Sequence, residues 1–177
     1  TPPVGGEVAV PTAPAGSPVS ARTTFYGPGA GGTVQGGWET SRANLEGLKN
    51  ERGSPIPRTL DDVRLGKARY VSLAVDPSNY GKFYNLGPVT YKSVLDKKIY
   101  TGDKLAAEAS LKKTDPNLHM TYVPQLEKVI GYAHDTGGAF TGRPDKFDIA
   151  VGDFRGWSAG DSMRFLTSAG QEYGGNK

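Results

Sequence analysis

The segment RYVSLAVDP, residues 69–77, constrains the fold most. Val71, Leu73 and Val75 alternate with Tyr70, Ser72, Ala74 and Asp76, a two-residue period that gives one apolar face only in a β-strand. Pro77 lacks a backbone donor and ends the strand. ARTTFYG (21–27), GPVTYKSV (87–94), EKVIGYAHD (127–135), KFDIAVGD (146–153) and DSMRFLTS (161–168) read as further strands. With 25 glycines and 13 prolines in 177 residues, tight turns between short strands are favoured over a helical bundle. Helices are expected only at 39–50, ETSRANLEGLKN, and at 103–113, DKLAAEASLKK, where Asp103 opens a run of good helix formers and lysines close it. The second helix reads as an insertion in a β domain. RGSPIPRTLDD, residues 52–62, reads as a loop.

The layout expected is a Pro/Gly-rich linker or arm at 1–20, one domain over 21–168 and a flexible tail at 169–177. The chain has no cysteine, so neither disulfides nor thiolate chemistry enter. Its net charge of +3 comes from scattered basic residues. Mild basicity suits contact with an anionic polymer, cell wall or nucleic acid, and selects neither. No apolar run is long enough for a membrane span. The start at Thr1, without a basic-then-apolar leader, is what a mature product or an excised fragment would show.

Residues 133–153, AHDTGGAFTGRPDKFDIAVGD, hold four aspartates. Asp145 and Asp153 sit beside Pro or Gly and read as turn residues. Asp148 lies mid-strand, on the face away from Phe147, Ile149 and Val151, where aspartate is disfavoured. Such departures from local preference mark functional or strained positions. Asp135 ends a strand, sharing a face with the small Gly131 and Ala133, and Asp76 ends the strand that opened this section. Turn chemistry and solvated edges remain the alternative for all of them.

TFY (24–26), AVDP (74–77), AHDTGGAFTG (133–142) and FDIA (147–150) stand in the order of a known pattern. The chain resembles the three-aspartate domain shared by the membrane-bound lytic transglycosylase A family and by cell-wall enzymes of spore-forming bacteria. The resemblance implies a mainly β fold, a six-stranded double-psi β-barrel with short inserted helices. It implies cleavage of the N-acetylmuramic acid–N-acetylglucosamine bond of peptidoglycan without water, leaving a 1,6-anhydro sugar. The family's essential acid falls on Asp148; Asp135 and Asp76 match its other two aspartates. The chain departs from the pattern at Thr141, where the family has lysine, at Ala150, where it has tyrosine, in a longer Asp135–Asp148 segment, and in the long stretch 78–126.

A hydrolase needs two carboxylates, whereas a lytic transglycosylase can use one. The acid protonates the leaving oxygen and then takes the proton of the sugar's own 6-hydroxyl as it closes on C1. A free aspartate titrates near ~3.9, so this acid needs burial or a second carboxylate beside it. Asp135 would supply repulsion or orientation, and Asp76 a supporting or sugar-binding carboxylate. Thr24, Tyr26, Gly137, Gly138 and Lys146 are the candidate substrate contacts, with Tyr26 either stacking on sugar or belonging to the core.

The two histidines, His119 and His134, have no metal-ligand spacing, and no metal or cofactor is expected. A single DTG copy does not make an aspartic-protease dyad. The glycine-rich GPGAGG lacks the lysine-serine ending of a phosphate loop. The expected partner is a peptidoglycan glycan strand outside the cytoplasm, in periplasm, secretion or a virion, with no nucleic acid and with the arm available for a larger assembly. Two alternatives stay open: a non-catalytic glycan-binding or structural barrel, as in a phage particle or secretion device, and a hydrolase of another β-1,4 glycan.

Overall fold

The structure is a computed structural model that describes residues 23–27, 58–112, 120–135 and 141–169, with residues 134 and 135 described through their backbone. The arm at 1–20, the helix expected at 39–50, Gly137, Gly138 and the tail beyond Ala169 lie outside the described residues. In chain order the elements are β1 (Thr23–Tyr26), α1 (Leu60–Arg64), β2 (Tyr70–Ala74), β3 (Phe83–Gly87), β4 (Thr90–Lys92), β5 (Ile99–Thr101), α2 (Lys104–Leu111), β6 (Met120–Tyr122), β7 (Val129–Asp135), β8 (Phe147–Ala150) and α3 (Ala159–Ser168). Short 3₁₀ turns stand at Pro77–Asn79 and Pro124–Leu126.

The fold is mainly β and is built from two sheets with few helices. One sheet has five strands in the order β1-β8-β2-β7-β3, and the other has three in the order β4-β5-β6. Among the described residues the five-stranded ladder is open, ending at β1 and β3. Pairing is mixed: β1 with β8 and β2 with β7 run parallel, β2 with β8 and β3 with β7 antiparallel. Val71, Leu73 and Val75 enter the main core as their alternation predicts, each 0 % exposed. The opposite face of β2 is covered too, because Tyr70, Ser72 and Ala74 are also buried. Tyr70 and Tyr132 form a second small cluster, with Phe83 and Ile130 packed against it. Gly131 permits this tight pairing: a Cβ there would stand 2.5 Å from Leu73 Cδ1.

The helices correct the sequence reading in two places. Residues 60–62, expected in a loop, belong to α1. Its cap is Thr59, whose side chain accepts from the Asp62 amide while the Asp62 carboxylate accepts from the Thr59 amide. The segment 161–168, expected as a last strand, is helical and belongs to α3. The buried set is Ser162, Phe165 and Leu166, spaced by three and four residues, and the Ser158 side chain caps the helix by accepting from the Asp161 amide. The expected α2 is present, with Asp103 at its cap, and packs against β6 and β5. The strands expected at 69–77, 87–94, 127–135 and 146–153 are present in shortened form as β2, β4, β7 and β8.

Candidate active site

The sheet topology brings the aspartates together. Parallel pairing puts the C-terminal ends of β2 and β7 at one edge of the sheet, and antiparallel pairing puts the N-terminal end of β8 there too. Ala74 is the meeting point: it stands opposite Asp148 on β8 and opposite Asp135 on β7. Asp148 in turn stands opposite Thr24 on β1. One row across four strands therefore reads Thr24, Asp148, Ala74, Asp135. Neighbouring strands lie about 4.8 Å apart, so the backbones of Asp148 and Asp135 are separated by roughly 10 Å. Asp76 follows Ala74 by two residues at the same end.

The position of Asp135 depends on an irregularity. Leu73 pairs with Ala133 and Ala74 with Asp135, so residue 134 is an extra residue in β7. A bulge of this kind shifts the register by one. Without it, residue 134 would stand opposite Ala74.

Asp148 is 2 % exposed, and the Thr24 hydroxyl donates to its Oδ1 at 2.8 Å. Thr24, expected as a substrate contact, is thus a partner of the candidate acid. Asp76 is 8 % exposed and has a different task. It caps the 3₁₀ turn, its Oδ1 accepting from the Ser78 amide at 2.8 Å, and its Oδ2 accepts from the Gly142 amide at 2.6 Å. Hydrogen bonds from the Ser78 side chain and amide, and from the Gly142 and Arg143 amides, hold its carboxyl below the usual carboxylate range, with burial opposing them. An aspartate so held is ionised and serves as an anchor rather than a proton donor.

Two other expected contacts are placed in the interior. Tyr26, at 4 % exposure, belongs to the main core, so its ring offers no open face to a sugar. Lys146 is likewise buried. Asp145 and Asp153 are exposed, and Asp153 Oδ1 accepts from the Arg155 amide two residues on, the turn role expected of it.

Sequence reasoning missed Asn79. Its Nδ2 donates to the Pro144 carbonyl at 3.0 Å and its Oδ1 accepts from Lys82 Nζ at 3.0 Å. The signal for this corner was present in DPSN, since aspartate before proline is a helix-start signature. A second carboxylate was also missed. Asp61 is buried and accepts from the Tyr91 hydroxyl at 2.8 Å, the Ser93 hydroxyl at 2.7 Å and the Val94 amide at 3.2 Å. Burial pushes its pKa up, against those hydrogen bonds and nearby Arg64. Its oxygens are taken by donors of β4 and the following turn, so Asp61 fastens α1 to the smaller sheet.

Among the described residues no group of three or more His, Cys, Asp or Glu is arranged to hold a metal ion. No described helix is long and apolar enough to cross a membrane. Compared with protein-family models, curated proteins and solved structures, the chain matches none of them.

Proposed function

We propose that the chain is a peptidoglycan lytic transglycosylase in which Asp148 is the general acid and base. The observation that carries this reading is the convergence of three sequence-distant aspartates on the end of β2, with Asp148 and Asp135 flanking Ala74. The finer fold belongs to the same proposal. Two parallel pairs, β1–β8 and β2–β7, joined antiparallel through β8 and β2, support a double-psi barrel. In the reaction Asp148 gives its proton to the glycosidic oxygen between N-acetylmuramic acid and N-acetylglucosamine as the C1–O bond breaks. The resulting carboxylate takes the 6-hydroxyl proton, and O6 bonds to C1, closing the anhydro ring. Water is not consumed. The Thr24 hydroxyl fixes the carboxyl's orientation. Asp135 is close enough along the row to tune it. A peptidoglycan substrate sets the work outside the cytoplasm, and the arm at 1–20 would serve attachment to a larger assembly.

The second reading is a non-catalytic glycan-binding or structural module. The 2 % exposure of Asp148, the core position of Tyr26 and the anchoring role of Asp76 favour it. Digestion of purified peptidoglycan followed by mass spectrometry separates the two. Anhydro-muropeptides are expected. New reducing ends would indicate a hydrolase, and an undigested polymer the non-catalytic module.

A further inference from the structure

The turn at 141–146 leads straight into β8, and the 77–82 corner holds it at two points. At the first, the Gly142 amide donates to Asp76 Oδ2 at 2.6 Å. At the second, Asn79 Nδ2 donates to the Pro144 carbonyl at 3.0 Å. The side chain of Asn79 is oriented by Lys82 Nζ on its oxygen, so the amide's donor end faces Pro144. Asn79 is 7 % exposed, so water does not readily replace these bonds. The turn also closes on itself, with the Lys146 amide donating to the Arg143 carbonyl at 3.1 Å. Gly142 has φ 76, a left-handed conformation that a side chain would strain, and this presents its amide to Asp76. Only Asp145 and Lys146 lie between the Pro144 anchor and the first residue of β8.

The corner itself is fixed from behind. The Gly81 amide donates to the Ala133 carbonyl at 2.9 Å and the Ala133 amide donates to the Lys82 carbonyl at 3.0 Å, which ties 77–82 to β7. The clasp thus connects the two strands that carry Asp135 and Asp148.

We propose that Asp76 and Asn79 are positioning residues, a two-point clasp on the 141–146 turn that sets Asp148 against Thr24 and Ala74. This rests on the reading of Asp148 as the acid for its consequence in turnover, while the geometry is testable without substrate. A carboxyl misplaced by about an ångström costs up to about a hundredfold in rate, so such a clasp has a task that folding alone would not require.

The test uses the full chain with four variants: Asn79→Ala, Asn79→Asp, Lys82→Met and Asp76→Asn. Asn79→Asp keeps an oxygen for Lys82 and deletes the donor to Pro144. Lys82→Met changes an exposed residue and only frees the Asn79 side chain, so it keeps the test valid should the others fail to fold. Three quantities are read: amide hydrogen exchange over 141–150, the carboxyl ¹³C shift of Asp148, and turnover of peptidoglycan. Exchange in 147–150 is expected to quicken by about tenfold or more in the Asn79 variants, and less in Lys82→Met. The Asp148 carboxyl shift is expected to move toward that of a Thr24→Val variant, which reports loss of the Thr24 bond. Turnover is expected to fall by between about tenfold and a hundredfold with KM little changed. An unmoved Asp148 shift in variants whose 141–146 amides exchange faster would overturn the clasp, since the turn would then be loosened without consequence for Asp148. A shift that moves in the variants, while the wild-type protein shows no turnover, would keep the clasp and remove the catalytic reading. Wild-type turnover that survives Asn79→Ala unchanged would do the reverse.

Discussion

Thr24 and Asp148 face each other across the parallel β1–β8 pair, and the Thr24 hydroxyl lies 2.8 Å from Asp148 Oδ1. This contact joins residues far apart in sequence and fixes a carboxylate that is nearly out of solvent. Thr24→Val keeps the shape and removes the donor. A buried acceptor left without its partner costs about 1–3 kcal/mol, and the cost is larger when it is charged. Urea denaturation is expected to show a loss in that range, with the slope unchanged. Thr24→Ser restores the hydroxyl and is expected to recover most of it. In a cycle with Asp148→Asn the two losses are expected to be non-additive, as for any pair in direct contact.

Two of the buried carboxylates, Asp76 and Asp61, give stability opposite dependences on pH. Asp76 has its folded pKa lowered, chiefly by the Ser78 hydrogen bonds. Its contribution is full above the unfolded value of 3.8 and is lost as pH falls through its lower folded value. Asp61 has its folded pKa raised, chiefly by burial. Its charged form disfavours folding above that raised value, so its share of stability improves as pH falls from there towards 3.8. Asp96 and Asp161, also lowered, act in the same sense as Asp76. Unfolding followed against pH is therefore expected to show a steep acid loss below 3.8 that Asp76→Asn flattens. Asp61→Asn is expected to alter the limb above it. An acid limb identical in wild type and Asp76→Asn would remove Asp76 from this account.

Gly131 is a steric prediction with no chemistry in it. An added Cβ would stand 2.5 Å from Leu73 Cδ1 and 2.7 Å from its Cγ. Leu73 is wholly buried in the main core. Gly131→Ala is expected to cost about 1–3 kcal/mol by overpacking. Leu73→Ala alone is expected to cost about 2–5 kcal/mol. Together they are expected to cost less than the sum, because the new methyl enters the space the leucine leaves. Thermal melts of the three variants measure this.

Strong alternation made β2, β7 and β8 readable in the sequence, and Asp103 with its helix formers made α2 readable. The strands β3, β5 and β6 were missed for different reasons. IYT and MTY are three residues each, too short to show a period, and FYNLG is a partly exposed edge with no regular alternation. The last helix was mistaken because the Ser158–Asp161 cap that favours the helix lies before the apolar run. At the site, the identity of Asp148 as an out-of-place carboxylate was legible from local preference. Its partner Thr24 was named for another role. The β7 bulge that puts Asp135 opposite Ala74 has no one-residue signature in AHD, since it follows from pairing with β2. The anchoring role of Asp76 was legible in DPSN, yet alternation along β2 drew attention to its face rather than to its cap.

The most direct consequence concerns Asp148. Asp148→Asn keeps the size of the side chain and an oxygen for the Thr24 hydroxyl, so the sheet has no steric reason to fail. It removes the proton that the leaving oxygen requires and the base that the 6-hydroxyl requires. General acid–base catalysis is worth about 10²–10⁴-fold, and anhydro-muropeptide formation is expected to fall by at least that range. Asp135→Asn is expected to reduce turnover less and to move the acidic limb of the pH–rate profile, because a second carboxylate two strands along the same row would favour the protonated form of Asp148 through repulsion. Asp153→Asn is the control: its carboxylate caps an exposed turn to Arg155, and activity is expected to be nearly unchanged. Circular dichroism and denaturation of each variant separate lost chemistry from lost folding. Wild-type turnover in a folded Asp148→Asn protein would end the assignment of Asp148 as the acid, and the convergence at Ala74 would then serve binding or structure alone.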